Sequence, residues 1–258
     1  MKIKKLMIGL GDTESATLRD SVYDVAYCIM DKKGNIALEK NWLVEEVFTN
    51  KKLMTKAYYA DKYFSVYPKM LSDGKIKLRP WLEIIAEMNK DFEEQGVSVF
   101  AAYNAGFDLR VLQKTHEQLG YTGNVFNADY KTLCIWQFGC EAKLTQKSYA
   151  RMARRLGWVS DKNNIITNAE KAYRYCSGDL SFVEDHTALS DARIEVEILA
   201  ECFRQKKKIP YNVIDKMPWR MVQKTNIDNV RTAKSKFVFD PSKAVENPNQ
   251  RRIYPYRA

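Results

Sequence analysis

Runs of apolar residues separated by polar turns dominate the first half of the chain. Residues 3–10, 22–30 and 36–44 are such runs, and they predict three strands that follow one another as an antiparallel meander. Residues 97–102 contain almost no polar position, which is typical of a strand buried on both faces at the centre of a sheet. A shorter run at 125–128 predicts one further strand.

Apolar residues at helical spacing predict the helices. The clearest helix begins after Pro80, where Trp81, Ile85 and Met88 recur at helical spacing before Gly96 ends the pattern. The other helices are predicted at 48–65, 107–119, 131–138, 144–156, from 168 onward, and at 190–207. A meander of strands followed by alternating helices and strands predicts an α/β domain whose mixed central sheet combines antiparallel and parallel strands.

Several polar residues on these helices are interpreted as structural. Thr167 and Glu170 have the spacing of a capping box at the start of the helix from 168. Asp91 and Glu93 form a D-x-E sequence, but the helical pattern around them predicts that they lie on the polar side of a helix. His116 lies on a predicted helix without a carboxylate partner at a useful spacing. None of these residues is expected to take part in chemistry.

The positive charge of the chain lies at its C-terminal end. Residues 204–258 contain 14 Lys and Arg but 4 Asp and Glu, which accounts for the whole net charge of +10. A cationic segment suits an anionic polymer because each phosphate contact releases counterions; a solubilising or disordered tail is the alternative. We therefore predict a catalytic domain at 1–207 and a basic extension at 208–258, with a polymerase or another protein as a further possible partner of the extension.

Cysteine and apolar content bear on the compartment. The five cysteines are scattered and form no C-x-x-C pair, which indicates free thiols rather than a disulfide framework or a zinc site. No apolar stretch approaches the ~20 residues that span a bilayer, and the first residues do not have the pattern of a secretory leader. We expect a cytoplasmic protein without a membrane partner.

Three acidic segments, far apart in the chain, stand out as candidate chemistry. They are Asp12-Thr-Glu14, Asn104-Ala-Gly-Phe-Asp108 and His186-Thr-Ala-Leu-Ser-Asp191. Each lies at the predicted end of a strand or the start of a helix, where a side chain can be aimed. If these ends converge, four carboxylates repel one another unless divalent cations bind between them. Oxygen ligands favour Mg²⁺ or Mn²⁺, and the scarcity of His and Cys argues against zinc.

Taken together and in this order, the three segments resemble the motifs of DEDDh-type 3′→5′ exonucleases. That superfamily includes ribonuclease T, oligoribonuclease and DNA-polymerase proofreading subunits. The resemblance extends over roughly residues 4–205. It implies a ribonuclease-H-like fold, with an antiparallel meander and parallel strands in one sheet flanked by helices.

The resemblance also implies roles for individual residues. Asp12 would bridge two Mg²⁺ ions, Glu14 and Asp191 would complete the shell of the first ion, and Asp108 would hold the second. His186 would be the general base that accepts a proton from the attacking water. Mn²⁺ could replace Mg²⁺. The expected substrate contacts are Thr13, Ser15, Asn104 and Phe107.

The sequence departs from the family pattern at two places. Ser15 stands where many members carry threonine, and the hydroxyl is retained. Tyr175 and Asp179 form the Y-x-x-x-D sequence that marks the sister DEDDy group, and they compete with His186 and Asp191 as the third motif. The histidine version is expected to be active because Asp191 leads into a strongly helical segment and the neighbouring alanines match the family pattern.

These features predict a metal-dependent 3′→5′ exonuclease that acts on single-stranded nucleic acid with a free 3′ end. It would release nucleoside 5′-monophosphates by a two-metal mechanism. DNA is slightly preferred as substrate, because a basic extension with aromatic residues suits a single strand. The alternatives are an RNA-trimming exoribonuclease and a non-catalytic module that binds nucleic acid or a polymerase on the same fold.

Overall fold

The residues that the structure describes form one six-stranded sheet. The structure is a computed structural model, and it describes residues 6–205 and 208–225. The strands are β1 (Met7–Ser15), β2 (Val22–Asp31), β3 (Ile36–Val44), β4 (Leu78–Arg79), β5 (Val97–Ala102) and β6 (Lys131–Cys134). Their order across the sheet is β4-β3-β2-β1-β5-β6. Strands β1, β2 and β3 are antiparallel neighbours, whereas β5 and β6 continue the sheet parallel to β1, and β4 is parallel to β3.

Helices flank this sheet on both sides. They are α1 (Glu45–Phe48), α2 (Lys51–Met54), α3 (Ala60–Ser65), α4 (Tyr67–Ser72), α5 (Trp81–Glu94), α6 (Ala105–Gln118), α7 (Ile135–Gly139), α8 (Lys147–Arg155), α9 (Ala169–Ser177), α10 (Ala188–Gln205) and α11 (Trp219–Gln223), and a π-helical turn occupies Cys140–Leu144. The mixed sheet flanked by helices confirms the predicted α/β, ribonuclease-H-like fold class.

Alternate residues of the central strands fill two separate cores. In β2, Cys28 and Met30 pack with α8, α9 and α10 on one face, whereas Tyr27 and Ile29 pack with α5 and α6 on the other. This division follows from the two-residue period of a strand. All ten residues of β2 are buried, which explains why its sequence reads as a nearly continuous apolar run.

One glycine of β1 lets helix α5 approach the sheet closely. A Cβ atom at Gly9 would lie 2.5 Å from Cζ of Phe92, which is closer than two carbon atoms can pack. Phe92 is fully buried and lies 5.4 Å, ring centroid to centroid, from Tyr27. Gly9 therefore fixes the distance between β1, which carries candidate catalytic residues, and the helix behind it.

The prediction for residues 125–138 was wrong in detail. The strand is β6 at Lys131–Cys134, and the helix is α7 from Ile135, whereas residues 125–128 form no strand. Side chains from other helices form hydrogen bonds with the backbone of this segment instead. Gln113 accepts from the Val125 N–H, and Asn89 donates to the Val125 carbonyl oxygen. The apolar run there fills the core under α5 rather than joining the sheet.

The helix predicted over 48–65 is interrupted, and two structural interpretations also need correction. The segment holds the end of α1, then α2 and α3, with turns between them. The cap of α9 is Asn168, whose side chain accepts from the Lys171 N–H, so Thr167 and Glu170 do not form a capping box. Asp91 is buried rather than on the polar face of α5.

The beginning of the predicted extension packs on the domain. Asn212 exchanges two hydrogen bonds with the backbone of Thr132 in β6. Gln223 exchanges two more with the backbone of Ile165, and Val222 is fully buried. Most of the predicted 208–258 extension lies outside the described residues, so its binding role and the boundary at 207 stay predictions.

The structure also bears on the cysteines and on membranes. The cysteines at 28, 134, 140, 176 and 202 are all buried with free thiols, which confirms the prediction from their spacing. Among the described residues, no helix is both long and apolar enough to span a bilayer.

Candidate active site

Strand β1 carries two of the candidate catalytic residues within the strand rather than beyond its end. Asp12 pairs with Ala26 and Glu14 with Asp24 across the antiparallel β1–β2 register. Because they are two residues apart in a strand, both carboxylates project from the same face of the sheet. Between them, the Thr13 hydroxyl donates to Asp108 Oδ1 at 2.9 Å. This bond holds the first turn of α6 against β1.

The third motif lies at the start of α10, next to Glu14. His186 has a backbone φ of 54°, a left-handed conformation that is uncommon for a residue with a side chain. Its Nδ1 lies 3.8 Å from Asp191 Oδ2. Ligand atoms of Glu14, His186 and Asp191 all lie within 4.8 Å of one another. The first and third acidic segments therefore converge, as the sequence predicts.

A buried carboxylate on β2 fixes where α10 begins. Asp24 is fully buried, and its Oδ2 accepts from the Ala188 N–H at 3.1 Å and from the Tyr67 hydroxyl at 2.9 Å. Asn41 donates to its other oxygen. Burial raises the pKa of Asp24 to about 6, and these donors oppose the shift. Asp24 thus positions the helix that carries Asp191 without belonging to the three motifs.

The carboxylates of the cluster lie close enough to raise one another's pKa. Burial, and then the charges of Glu195, Asp108 and Asp191, raise the pKa of Asp12 well above its ordinary value. Burial and Asp191 raise the pKa of Glu14 to about 9. Burial also raises the pKa of Asp108 to about 7, against the hydrogen bond from Thr13. Such shifts mark a place where a positive charge is needed.

Two carboxylate oxygens in the cluster have no hydrogen-bond partner among the described residues. They are Asp12 Oδ2 and Asp191 Oδ1, and both atoms are buried. A buried acceptor without a donor is costly, and native proteins satisfy most such atoms. Oxygen ligands of this kind are what hard divalent cations bind. Asp12, Glu14, Asp108 and Asp191 therefore fit a Mg²⁺ or Mn²⁺ site.

Two further acids at the site escaped the sequence analysis. Glu195 is buried one helical turn after Asp191, and its Oε2 accepts from the Tyr103 N–H at 3.0 Å. Burial, Asp108 and Asp191 raise its pKa well above the ordinary value. Glu184 Oε2 lies 3.7 Å from His186 Nδ1, and burial with Asp191 raises the Glu184 pKa to about 7. The spacing of four between Asp191 and Glu195 could have revealed Glu195, because such residues share a helix face.

A lysine of helix α3 and the tyrosine just before that helix hold His186. Lys62 Nζ donates to the carbonyl oxygen of His186 at 2.6 Å and to that of Asp185. The ring of Tyr59 stacks on the imidazole with centroids 4.6 Å apart and planes at 18°. Burial lowers the pKa of Lys62, while Glu14 and Asp191 oppose that shift. The weak pattern of residues 48–65 gave no signal for these two residues.

The predicted substrate contacts occupy different positions. Thr13 is engaged with Asp108, and the Ser15 hydroxyl donates to the Thr17 carbonyl oxygen at 2.7 Å. Asn104 is exposed where α6 begins, and its side chain does not cap the helix. Phe107 is half-buried in the first turn of α6 beside Arg110. Whether they touch a substrate stays a prediction.

The competing tyrosine motif is engaged elsewhere. The Tyr175 hydroxyl bonds Ser148 at 2.6 Å and Gln146 at 3.0 Å. Asp179 accepts from the backbone N–H groups of Ser181 and Phe182 in a local turn. None of these partners belongs to the acidic cluster.

His116, the other histidine, has a structural role. Its Nδ1 accepts from the Trp81 indole at 3.0 Å, inside the core. That agrees with the interpretation from the sequence.

The comparisons with known proteins concern the fold. No family model matches the sequence, and no curated protein matches it. Among solved structures, the chain is similar to exonuclease X in complex with 5′-overhanging duplex DNA, with a TM-score of 0.42 and 19% identity over 76% of this chain and 91% of that one. It is also similar to the zinc-bound form of the Escherichia coli ExoI–single-stranded DNA complex, with a TM-score of 0.45 and 12% identity over 75% of this chain and 39% of that one. Both are likenesses of fold alone.

Proposed function

We propose that this chain is a metal-dependent 3′→5′ exonuclease that hydrolyses the terminal phosphodiester of single-stranded nucleic acid, with DNA slightly preferred. The products would be nucleoside 5′-monophosphates. The observation that carries the proposal is the convergence of Glu14, His186 and Asp191, whose ligand atoms all lie within 4.8 Å of one another. Asp12 adds a buried oxygen without a donor among the described residues, and burial together with the charges of Asp191 and Glu14 raises its pKa.

The carboxylates would hold two Mg²⁺ ions, for which Mn²⁺ can substitute. Besides burial, the charges of Asp108, Asp191 and Glu14 all raise the pKa of Asp12, which supports Asp12 as the ligand that both ions would share. When bound, the ions would supply stabilisation of the charge that develops on the phosphate and would ease ionisation of water. Thr13 would keep Asp108 oriented through its 2.9 Å hydrogen bond.

His186 is proposed as the general base. Its imidazole lies at the edge of the cluster, half-exposed, so an attacking water can reach it from solvent. The stacked ring of Tyr59 and the bonds from Lys62 to the backbone hold it in place. The nearby Asp191 carboxylate raises the pKa of His186. A protonated imidazole cannot accept a proton, so the rate should fall as the pH falls through that pKa.

The test is a gel assay on single-stranded DNA and RNA of one sequence, labelled at the 5′ end. We expect a ladder that shortens from the 3′ end on DNA in Mg²⁺ and none in EDTA. Asp12→Ala should remove the ladder, whereas Asp91→Ala, in the other D-x-E sequence, should keep it. A ladder confined to RNA would instead identify an exoribonuclease. Tight binding of either strand with no ladder under any metal would overturn the proposal and favour a binding module.

A further inference from the structure

A cavity of about 430 Å³ opens beside the start of α6 and is lined in part by Tyr103, whose backbone N–H bonds Glu195. Its aromatic walls come from Tyr103, Trp136 and Trp219, and Ile165 contributes to its apolar floor. This volume lies within the range of about 300–1,000 Å³ that is usual for small-molecule sites. The three acidic motifs contribute one residue to it, Asn104.

The walls of the cavity are held in place by hydrogen bonds. The Trp136 indole donates to the Thr167 hydroxyl at 2.8 Å, and the Tyr103 hydroxyl donates to the Thr167 carbonyl oxygen at 2.6 Å. The Trp136 and Tyr103 rings are nearly parallel, with planes at 19° and centroids 6.5 Å apart. Trp219 begins α11, which Gln223 ties to Ile165 at 2.8 and 3.0 Å. The aromatic surfaces are therefore formed before any ligand arrives.

Two side-chain amides in the lining are available to a ligand. Those of Asn104 and Asn164 make no hydrogen bond to any residue in the described ranges. A carboxamide presents a donor and an acceptor side by side, which matches the hydrogen-bonding edge of a nucleobase. Flat aromatic walls and paired amides together suit a planar, polar-edged heterocycle better than an aliphatic ligand.

The cavity and the acidic cluster share the junction between β5 and α6. Asn104 precedes Asp108 by about one helical turn, and the backbone N–H of the adjacent Tyr103 bonds Glu195. Two basic residues adjoin lining residues in the sequence. Lys162 lies between Ser160 and Asn164, and Arg220 follows Trp219 and lies 5.8 Å from its ring centroid. A single-stranded nucleic acid whose phosphates pass these basic residues would present a base to the cavity.

We propose that the cavity accepts one unstacked nucleobase of the single-stranded substrate, which stacks on Trp219 and Trp136 and is hydrogen-bonded by Asn104 and Asn164. The inference rests on the proposed function, because it assigns the ligand as part of that substrate. It predicts that the enzyme grips its strand by a base as well as by the phosphate at the metal site.

The experiment measures binding without hydrolysis. The full chain in EDTA is titrated into a 5′-fluorescein-labelled single-stranded DNA octamer, and the dissociation constant is read from anisotropy. Trp219→Ala should weaken binding about 10- to 100-fold, which is the usual effect of losing a base–aromatic stack. Trp219→Phe should restore most of it, because a ring remains. Equal affinities for Trp219→Ala and the unmodified chain would overturn the inference.

A second pair of variants covers the case in which Trp219→Ala unfolds α11. Asn164→Leu keeps the size of the side chain and removes its amide, so binding should weaken about 2- to 10-fold. Asn124→Leu, an exposed asparagine outside the lining, is the matched control and should bind normally. If Trp219→Ala unfolds, unchanged affinity for Asn164→Leu would by itself overturn the base site.

The outcomes separate this inference from the proposed function. Hydrolysis in Mg²⁺ with affinity that ignores position 219 would leave the exonuclease intact and reject the cavity as a base site. Affinity that depends on position 219 without hydrolysis in any metal would reject the exonuclease and keep the cavity as a nucleic-acid site.

Discussion

The chain contains two D-x-E sequences whose acids meet opposite surroundings. Asp12 and Glu14 lie in strand β1 and face the same side of the sheet, and Glu14 has a ligand atom within 4.8 Å of one on Asp191. Asp91 and Glu93 lie on helix α5, where residues two apart point in different directions. Asp91 is buried and bonded to Lys40 at 2.6 Å and to the Tyr27 hydroxyl, whereas Glu93 is exposed to solvent.

The comparison teaches that the partners of a carboxylate, rather than its motif, decide its use. At α5, Lys40, Arg79 and Glu87 complete an ion-pair network around Asp91. At β1, the neighbours of Asp12 are other acids, and a buried oxygen is left without a donor. The protein supplies its own cations at Asp91, whereas the neighbours of Asp12 are acids, as the proposed metal site requires.

The largest expected effect separates the two sequences by activity. Asp12→Ala should lower kcat by about 10³-fold or more, because it deletes a metal ligand and with it charge stabilisation at the phosphate. Asp191→Ala should act alike. Asp91→Ala should leave the rate per folded molecule near that of the unmodified enzyme. Single-turnover rates on a DNA oligonucleotide check this, and comparable losses at positions 12 and 91 would erase the distinction.

Removal of the proposed base should slow the reaction without removing the metals. His186→Ala is expected to lower kcat by ~10²–10⁴-fold, which is the usual contribution of a general base. Calorimetric titration with Mn²⁺ should show affinity close to that of the unmodified protein. Because His186 has a ligand atom within 4.8 Å of those of Glu14 and Asp191, loss of Mn²⁺ binding would reassign it as a ligand.

The two aspartates should also differ in the sign of their effect on stability. In EDTA at pH 9, Asp12→Asn removes a repelled anion and should raise the free energy of unfolding by about 1–2 kcal/mol. Asp91→Asn removes one of the two carboxylates that pair with Lys40 and should lower the free energy of unfolding by about 1–3 kcal/mol. Urea denaturation measures both. A loss of stability in Asp12→Asn would contradict the view that β1 holds uncompensated charge.

A further expected effect is a dependence of stability on pH. Folding raises the pKa of Glu14 from 4.5 to about 9 and that of Asp108 from 3.8 to about 7. Between those values the folded state binds more protons than the unfolded state, so metal-free stability should fall as pH rises from 5 to 9. Added Mg²⁺ should raise the Tm most at high pH, where the ligands are ionised. A metal-free Tm that climbs across this window would contradict the shifts.

Much of the fold could be predicted because its signals are local. Hydrophobic periodicity and turn residues predict the three strands of the meander, strand β5, and helices α5, α6, α8 and α10. The exchange of strand and helix at 125–138 could not be predicted, because Gln113 and Asn89 bind that backbone from distant positions. Asp91 was placed on the wrong face because its partner, Lys40, is far away in the sequence.

The candidate site shows the same difference between local signals and contacts of residues that are distant in the sequence. Spacing and order predict Asp12, Glu14, Asp108, His186 and Asp191 as a set, and the structure brings ligand atoms of Glu14, His186 and Asp191 within 4.8 Å of one another. Glu195, Glu184, Lys62 and Tyr59 join them through contacts across the fold, and only the first of these has a spacing that indicates it. Residues that orient others leave less trace in a sequence than residues that perform chemistry.

The bond from Asp24 to the first N–H of α10 has a consequence for genetic screens. Replacement of Asp24 would release the start of α10 together with Tyr67 and Asn41, and Asp191 would leave its place. A saturation-mutagenesis library scored for retained nuclease activity would then rank position 24 beside the proposed metal ligands. Position 24 would be read as catalytic, although its side chain is sealed in the core. Only a parallel score for protein abundance would tell the scaffold of the active site from the active site itself.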